Sequence, residues 1–477
     1  MLKRMRSFLV LVMLFITVTM SAQVTTATMS GKVTAQDEPI IGATIVAVHE
    51  PSGTRYGTVT NVSGQFNLQG MRTGGPYKVE ISYVGYQTAI YKGINLLLGE
   101  NYVLNVSLKE SSELLDEVVV TASKESNMKS DRAGAIMNAN RDMISNTPTI
   151  SRSISDIMRL SPQGADVGNG FAVGGGNYRQ SFVTVDGAAF NNTFGLGGNL
   201  PANGSPISLD ALEQVTVAVT PFDVRQSGFT GGAINAVTRS GDNQFRGTVY
   251  GYFNNENLRG DKVEDYKLTR SKSQYYTYGA SFGGPIIKDK LFFFVNGEYE
   301  DNVTAGSSYQ PRTSLDQEYT GNVRRPVENT IVDGNETWVG LNDMRQYLKE
   351  KYNYDPGRYN NYSVNTPAYR IMARLDWNAN LNNKLSLRFT KTHTKDSNFP
   401  SSSTSPLSAD DIYPGDTGLG IPKGKDSGRS TKYSMSFENS NYYQVRDFTS
   451  VAGEWNSRFA NGAMNNMLRF AYSYQNE

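Results

Sequence analysis

Cysteine is absent from all 477 residues. That removes disulfides, thiolate metal sites, a cysteine nucleophile and a lipid-bearing cysteine behind a secretion signal. Histidine is nearly absent too: His49 and His393 are the only two. Neither has an Asp or Glu at metal-ligand spacing, and neither has an evident partner for a Ser-His-Asp set. The residues therefore offer no metal centre, no cofactor site and no enzyme. Excess charge of one sign is missing as well. Lys and Arg (46) balance Asp and Glu (45) to a net +1, which gives no basic field for nucleic acid and no acidic tail. Beyond the N-terminus no apolar run approaches the ~20 residues of a helical membrane span. Any further membrane insertion has to be made by strands.

What is abundant is tyrosine (28) and glycine (46), a texture compatible with an outer-membrane barrel. The N-terminus is more specific. Lys3, Arg4 and Arg6 precede "SFLVLVMLFITVTM" and then "SAQ". A basic start, a short apolar run and small residues at its end predict a secretory signal over 1–22. Met20 is large for the third position before the cut, so the bond itself is not fixed by the sequence.

Residues 24–109 carry period-two patterning broken by turn residues. Ile45, Ala47 and His49 alternate with Val46, Val48 and Glu50, and Val79, Ile81 and Tyr83 alternate with Lys78, Glu80 and Ser82. Short strands at this spacing predict a small β-sandwich. The segments "GATIVA", "TNVSGQFNL" and "YKVEISYVGY" resemble the carboxypeptidase regulatory-like domain. The family name suggests an enzyme, but the residues carry no zinc ligands, and His49 reads as a strand residue.

A polar linker follows over 110–130, and within it lies "LLDEVVVTASKE". A lone β-prone run has unpaired backbone donors and acceptors. It must either dock on something folded in this chain or pair with another protein.

Residues 131–240 form a distinct block. In "SISDIMRLSP", Ile154, Ile157, Met158 and Leu160 share one helical face that Pro162 ends. "SFVTVDG", "EQVTVAV" and "GGAINAVTRSG" read as strands with tight turns. "GNGFAVGGGN" fails both phosphate-loop spacings, so its glycines read as turn residues.

From about residue 244 the pattern becomes dyadic. Tyr369, Ile371, Ala373, Leu375 and Trp377 alternate with Arg370, Met372, Arg374, Asp376 and Asn378. Leu385, Leu387 and Phe389 alternate with Lys384, Ser386, Arg388 and Thr390, and Leu468, Phe470, Tyr472 and Tyr474 stand opposite Arg469, Ala471 and Ser473. Similar segments lie near 245–254, 274–286, 290–300, 429–438 and 444–456, about eight strands in all. A soluble sandwich would bury the apolar face, whereas a transmembrane barrel would turn it to lipid. Aromatics at strand ends (Tyr369, Trp377, Trp455, Tyr474) suit interfacial girdles. Tight connections at 286–290 and 380–383 against a long polar insertion at 301–366 suit periplasmic turns and outer loops. A helix is expected within "ETWVGLNDMRQYLKEKYNY". Eight strands enclose no room for a folded block, whereas barrels with a plug have about 22. The expectation is that these residues are the front part of a longer protein; the alternative sets 131–240 outside a small barrel.

The ordered set of signal, regulatory-like sandwich, "DEVVVTA", plug-like block and dyadic strands resembles the TonB-dependent outer-membrane receptors. "NYRQSFVTVDGAAFNNTFGL", "PISLDALEQVTVAVTPFDVRQSGFTGGAINAVTRSG" and "QFRGTVYGYFNNENLRG" resemble the Oar-like, OmpA-related subgroup in particular. The resemblance implies a mainly all-β chain: sandwich, α+β plug over 131–240, and the N-terminal part of a large antiparallel barrel over 241–477. It also implies outer-membrane location and active import, with peptide as one class of cargo, driven through TonB with ExbB and ExbD.

By the same resemblance Asp116, Glu117, Val118, Val119, Val120, Thr121 and Ala122 match the coupling segment, which an extended strand suits because it can add to a partner's sheet edge. A linker strand packed on the sandwich or plug is the other reading. Val185, Asp186 and Gly187 are expected to form a turn that anchors the plug sheet. Gly231, Gly232, Asn235, Thr238 and Arg239 match the closing plug stretch, with Arg225 and Arg239 facing acidic residues of the lumen. A structural or adhesive surface protein that transports nothing is the competing function.

Overall fold

The computed structural model describes residues 24–110, 118–121, 136–149, 152–167, 170–192, 198, 200–201, 205–219, 229–264, 266–267, 272–320, 322–399, 434–459 and 464–477. The expected signal segment 1–22 lies outside them, as do Asp116, Glu117, Ala122 and Arg225.

The first unit is a two-sheet sandwich. Its longer strands are β1 (Ala27–Ala35), β2 (Thr44–His49), β3 (Thr54–Val59), β4 (Gln65–Met71), β5 (Gly74–Ser82) and β6 (Ala89–Leu96). β1 pairs with β4 in one sheet; the other runs β6-β5-β2-β3. Alternation decides which side chains are inside: Ile45, Ala47, Tyr77, Val79 and Ile81 point into a core with Met29, Val33, Leu68 and Met71. Each such side chain contributes about 1.5–3 kcal/mol on burial.

His49 is one of these inward residues. Its Nδ1 lies 2.7 Å from Ser52 Oγ and its ring packs against Tyr77. Burial, with a smaller push from the Arg72 charge, lowers its pKa to about 2. Above about pH 6.5 the ring is neutral folded or unfolded, and nothing is lost. Below that value the unfolded chain takes up a proton that the folded one refuses. Stability then falls by about 1.4 kcal/mol per pH unit towards pH 2. Denaturant titrations of residues 24–110 at pH 7.5 and pH 5 should differ by about 2 kcal/mol from this ring. His49→Asn should remove that part of the difference; an undiminished difference would refute the assignment.

A separate strand, β7 (Val118–Thr121), adds to the sandwich. It pairs in parallel with β6, Val118 opposite Ala89 through Thr121 opposite Lys92.

The second unit is a mixed sheet with two short helices. It comprises β8 (Ile136–Ala139), α1 (Arg141–Asn146), α2 (Ile154–Met158), β9 (Gly164–Asp166), β10 (Phe171–Val173), β11 (Ser181–Val185), β12 (Ala188–Ala189), β13 (Leu212–Ala218) and β14 (Gly232–Thr238). The sheet order is β8-β13-β14-β11-β12, with β14 and β11 parallel. Ser153 and Asp156 form a reciprocal cap on α2, satisfying donors that the first helical turn leaves free. Every residue of β14 is buried. In the described part of "GNGFAVGGGN", Phe171–Val173 is β10, paired with β9, and Gly174 and Gly175 have positive φ in the turn that follows.

The third unit is a seven-stranded antiparallel sheet in sequence order: β15 (Arg246–Asn255), β16 (Ser273–Ile287), β17 (Leu291–Ala305), β18 (Ser363–Asn378), β19 (Asn383–Asn398), β20 (Tyr442–Phe459) and β21 (Met464–Asn476). Between β17 and β18 the long insertion carries the expected helix, α3 (Leu341–Tyr352). One sequence expectation fails. The strand foreseen near 429–438 is absent where the chain is described: 434–437 is irregular and Glu438–Ser440 is a 3-10 turn held by Arg358 and Pro356 carbonyls. Among the described residues the sheet has seven strands, where about eight were expected. Its strands are also longer than foreseen, 15 to 18 residues from β16 to β20. At about 3.3 Å per residue they overshoot the ~25 Å apolar band of a membrane barrel. Alternation of apolar with polar marks the band but not the polar extensions beyond it.

One face of this sheet exposes Val295, Tyr299, Ile371, Leu375, Trp377, Leu387, Phe389, Trp455, Leu468, Phe470 and Tyr472. Its other face is covered by the second unit. Phe294, Met372, Phe448 and Ala452 share one core with Val183, Val215, Ile234 and Phe190, and Phe190 packs on Phe448 at 4.7 Å between ring centroids. The 131–240 block thus lies against the polar face of the strands.

Candidate functional site: the plug–wall lock and the docked strand

The β11–β12 turn is the centre of the first arrangement. Asp186 (φ 46°) and Gly187 (φ 79°) take left-handed backbone there, which glycine adopts without cost and aspartate tolerates. The Asp186 amide donates to the Ala236 carbonyl (2.9 Å). Its carboxylate accepts from the Thr238 amide (3.0 Å) and hydroxyl (2.6 Å). One turn residue so fastens β11 to the end of β14. Inside the sheet the Thr184 hydroxyl donates to Asn235 Oδ1 (2.7 Å). Gly232 is needed for space: a Cβ there would lie 2.4 Å from Val173 Cγ1.

From the wall, Arg374 on β18 reaches into this turn. Its Nη1 donates to the Thr238 carbonyl (2.7 Å) and lies 3.4 Å from Asp186 Oδ1. Nε and Nη2 grip both oxygens of Asp376 (2.9 Å each), the planar two-point geometry that suits guanidinium. Asp376 in turn accepts from Ser240 Oγ. Arg388 of β19, 2% exposed at its side chain, places Nε 3.6 Å from Asp186 Oδ2.

Two further clamps flank it. Asp210 accepts from Arg141 Nη2 (2.9 Å) and from Thr248 Oγ of β15 (2.8 Å). Burial pushes the Asp210 pKa up, but bonds from Ser281, Arg141 and Thr248 with the Arg239 charge leave it lowered. Glu298 of β17 accepts from Ser208 Oγ (2.8 Å) and from Arg370 Nη1 (3.0 Å).

Arg239 does not look outward to acidic wall residues. Its carboxylate partner is Asp210 of its own unit (3.5 Å), and its guanidinium covers the Phe294 ring. At the central clamp the polarity is the reverse of the expectation: the second unit presents the acid and the third unit presents the arginines. The sequence reading missed Arg370, Arg374, Arg388, Asp376, Glu298, Ser208 and Asp210 as functional residues. Four of these are charged residues on the inward phase of β18 and β19, and that was the available signal. The histidines also have partners that sequence spacing hid. Besides Ser52 beside His49, Asp447 Oδ1 lies 3.3 Å from His393 Nδ1, and Lys391 shares that carboxylate.

The second arrangement is β7. Its backbone lies in register on β6 over four residues, so part of the 116–122 stretch is docked within the chain. The sandwich carrying it is fastened to the second unit: the Leu98 amide donates to Gln214 Oε1 of β13 (2.7 Å), and Val24, Leu98 and Val237 form a small apolar contact.

Comparison with known proteins fits this layout. Residues 28–109 match the carboxypeptidase regulatory-like domain and residues 237–450 an outer membrane beta barrel domain. The chain is 25% identical over 300 residues to the TonB-dependent transporter Oar of Myxococcus xanthus, a match taking in 60% of this chain and 26% of that protein. It is 29% identical over 281 residues to the TonB-dependent receptor SusC of Bacteroides thetaiotaomicron, covering 56% and 26% respectively. Its relatives are TonB-dependent receptors. They are transporters and receptors rather than enzymes. Most of the seven-stranded sheet lies within the stretch that matches the outer membrane beta barrel domain, which supports an outer-membrane location. The chain spans about a quarter of the length of either curated relative. Among solved structures, the outer membrane transporter YddB from Escherichia coli superimposes with a TM-score of 0.44 at 11% identity, over 72% of this chain and 38% of that one.

Proposed function

We propose that the protein is an energised importer of the outer membrane: cargo, with peptide as the favoured class, is held outside, and TonB with ExbB and ExbD supplies the work that displaces the plug. A cleaved signal over 1–22 delivers it across the inner membrane. The observation that carries the reading is the path from β7 to the lock. An extended segment sits at a sheet edge, the sheet is bonded to the plug at Gln214, and the plug is held in the wall by the separable clamps at Asp186, Asp210 and Glu298. A strand edge is a grip that main-chain hydrogen bonds can take.

Uptake of labelled peptides by cells with and without TonB tests it. Import should fall to background when TonB is absent. Equal accumulation in both strains sinks the reading and leaves the surface-display alternative, for which the folded 306–362 insertion would be the displayed part.

A further inference from the structure

Where sandwich, plug and wall meet, cations outnumber carboxylates. A cavity of about 90 Å³ lies at that junction, lined by Arg72 of the sandwich, Asp186 of the plug and Arg374, Lys384, Arg388 and Asp376 of the wall. Its acids are already engaged. Asp376 is held in the Arg374 fork, Glu454 is held by Arg469 at 2.7 Å, and Asp186 serves Thr238 and Arg374.

Two cations are under-paired: Arg388 has only a share of Asp186, 3.6 Å away and also contacted by Arg374, and no ion pair is found for Lys384 among the described residues. Arg388 donates through Nη2 to Ser450 Oγ (3.1 Å), while among the described residues its buried Nη1 and Nε have no hydrogen-bond acceptor. Lys384 Nζ sits over the Tyr56 ring at 4.1 Å and reaches only the Leu381 carbonyl, at 3.4 Å. Just behind, Arg458 is buried with Nε and Nη2 also lacking acceptors, and its charge acts on Lys384. Buried guanidinium groups are costly unless paired. Their flat fork of donors fits two oxygens of one anion. At roughly 15 Å³ for each water-sized occupant, the space suffices for a small oxyanion and a water beside it.

We propose that this junction is an oxyanion-binding site, with Arg388 and Lys384 as its ligands and Arg72 closing it from the sandwich. The site is complete only when the sandwich is seated, so an anion bound there ties all three units together. The inference stands apart from the transport reading. A phosphate ion and the terminal carboxylate of a peptide share the required chemistry.

Calorimetric titration of the full-length protein in detergent tests it. The ligands are inorganic phosphate and a short peptide with a free C-terminal carboxylate, with its amidated twin alongside. Saturable binding is expected, weakened about tenfold or more in Arg388→Gln, as the loss of one charged hydrogen bond implies, and by less in Lys384→Gln. Should Arg388→Gln lose the heat-modifiable gel migration of an assembled barrel, Lys384→Gln and Arg72→Gln decide. Phosphate binding assigns the free ion. Binding of the free-carboxylate peptide but not its amidated twin assigns a cargo carboxylate, and either result supports the site. Absence of saturable binding by both ligands overturns it, as does affinity unchanged in every variant that assembles.

Discussion

Val119→Pro will give a protein that reaches the outer membrane, assembles and binds cargo, yet imports at background, a loss of two orders of magnitude or more. Proline removes one ladder donor and fixes φ, so a strand only four residues long loses much of what a partner can grip. Assembly should not suffer, because β7 is added at the edge of a sandwich whose core lies elsewhere. The neighbouring Val120→Pro sharpens the test. Along a strand, successive N–H groups point to opposite edges. One of the two prolines therefore strips the donor facing β6 and the other strips the donor facing outward. If the energy-coupling protein adds to the outer edge while β7 stays on the sandwich, only the outward proline abolishes import. If β7 must first leave β6, both do. Uptake of labelled cargo, with surface binding measured in parallel, separates these outcomes. Undiminished import by both variants would remove β7 from the coupling path altogether.

The docking of β7 illustrates what the sequence could and could not disclose. Alternation at Ile45, Ala47 and His49, and again from Tyr369 to Trp377, predicts the face of each residue because the pleat period is two. It says nothing about which strands become neighbours. "VVVT" reads equally as a docked or a waiting strand; the choice lies in the backbone edge of Ala89–Lys92, which leaves no composition signal. The lock was half legible for a similar reason. The Asp186–Gly187 turn follows from local chemistry, but Arg374 meets Asp186 across 188 positions, and inward-phase charges name no partner until the plug is seated. Strand ends were the least legible. Past Phe389, strand β19 continues through Lys391, His393 and Lys395 to Asn398 on backbone pairing and cross-strand polar contacts such as those of Lys391 and His393 with Asp447, where polar residues on both faces look like loop.

The second large effect concerns that lock. Arg374→Met removes the cation that Asp186 and Asp376 share, in a junction where the arginine side chain is 13% exposed. Asp376 then keeps its bond from Ser240, and Asp186 keeps Thr238 and the longer contact to Arg388, but breaking such a buried pair from one side costs about 3–5 kcal/mol. That corresponds to an open-plug population raised by two to three orders of magnitude, at about 1.4 kcal/mol for each tenfold. Hydrogen exchange at the β14 amides should accelerate accordingly, and cells should admit a bulky antibiotic that the intact outer membrane excludes. Adding Asp186→Asn should restore part of the loss, since a neutral amide oxygen can still accept from the Thr238 amide without the buried charge. A plug that is merely packed in place, by contact of Phe190 with Phe448 and of Ile234 with its neighbours, would exchange at the wild-type rate in Arg374→Met. In that case the clamps would be incidental to holding it. The partial rescue matters more than the loss, because a cavity left by any long side chain would loosen the wall, but only relief of an unpaired charge would be repaired by neutralising Asp186.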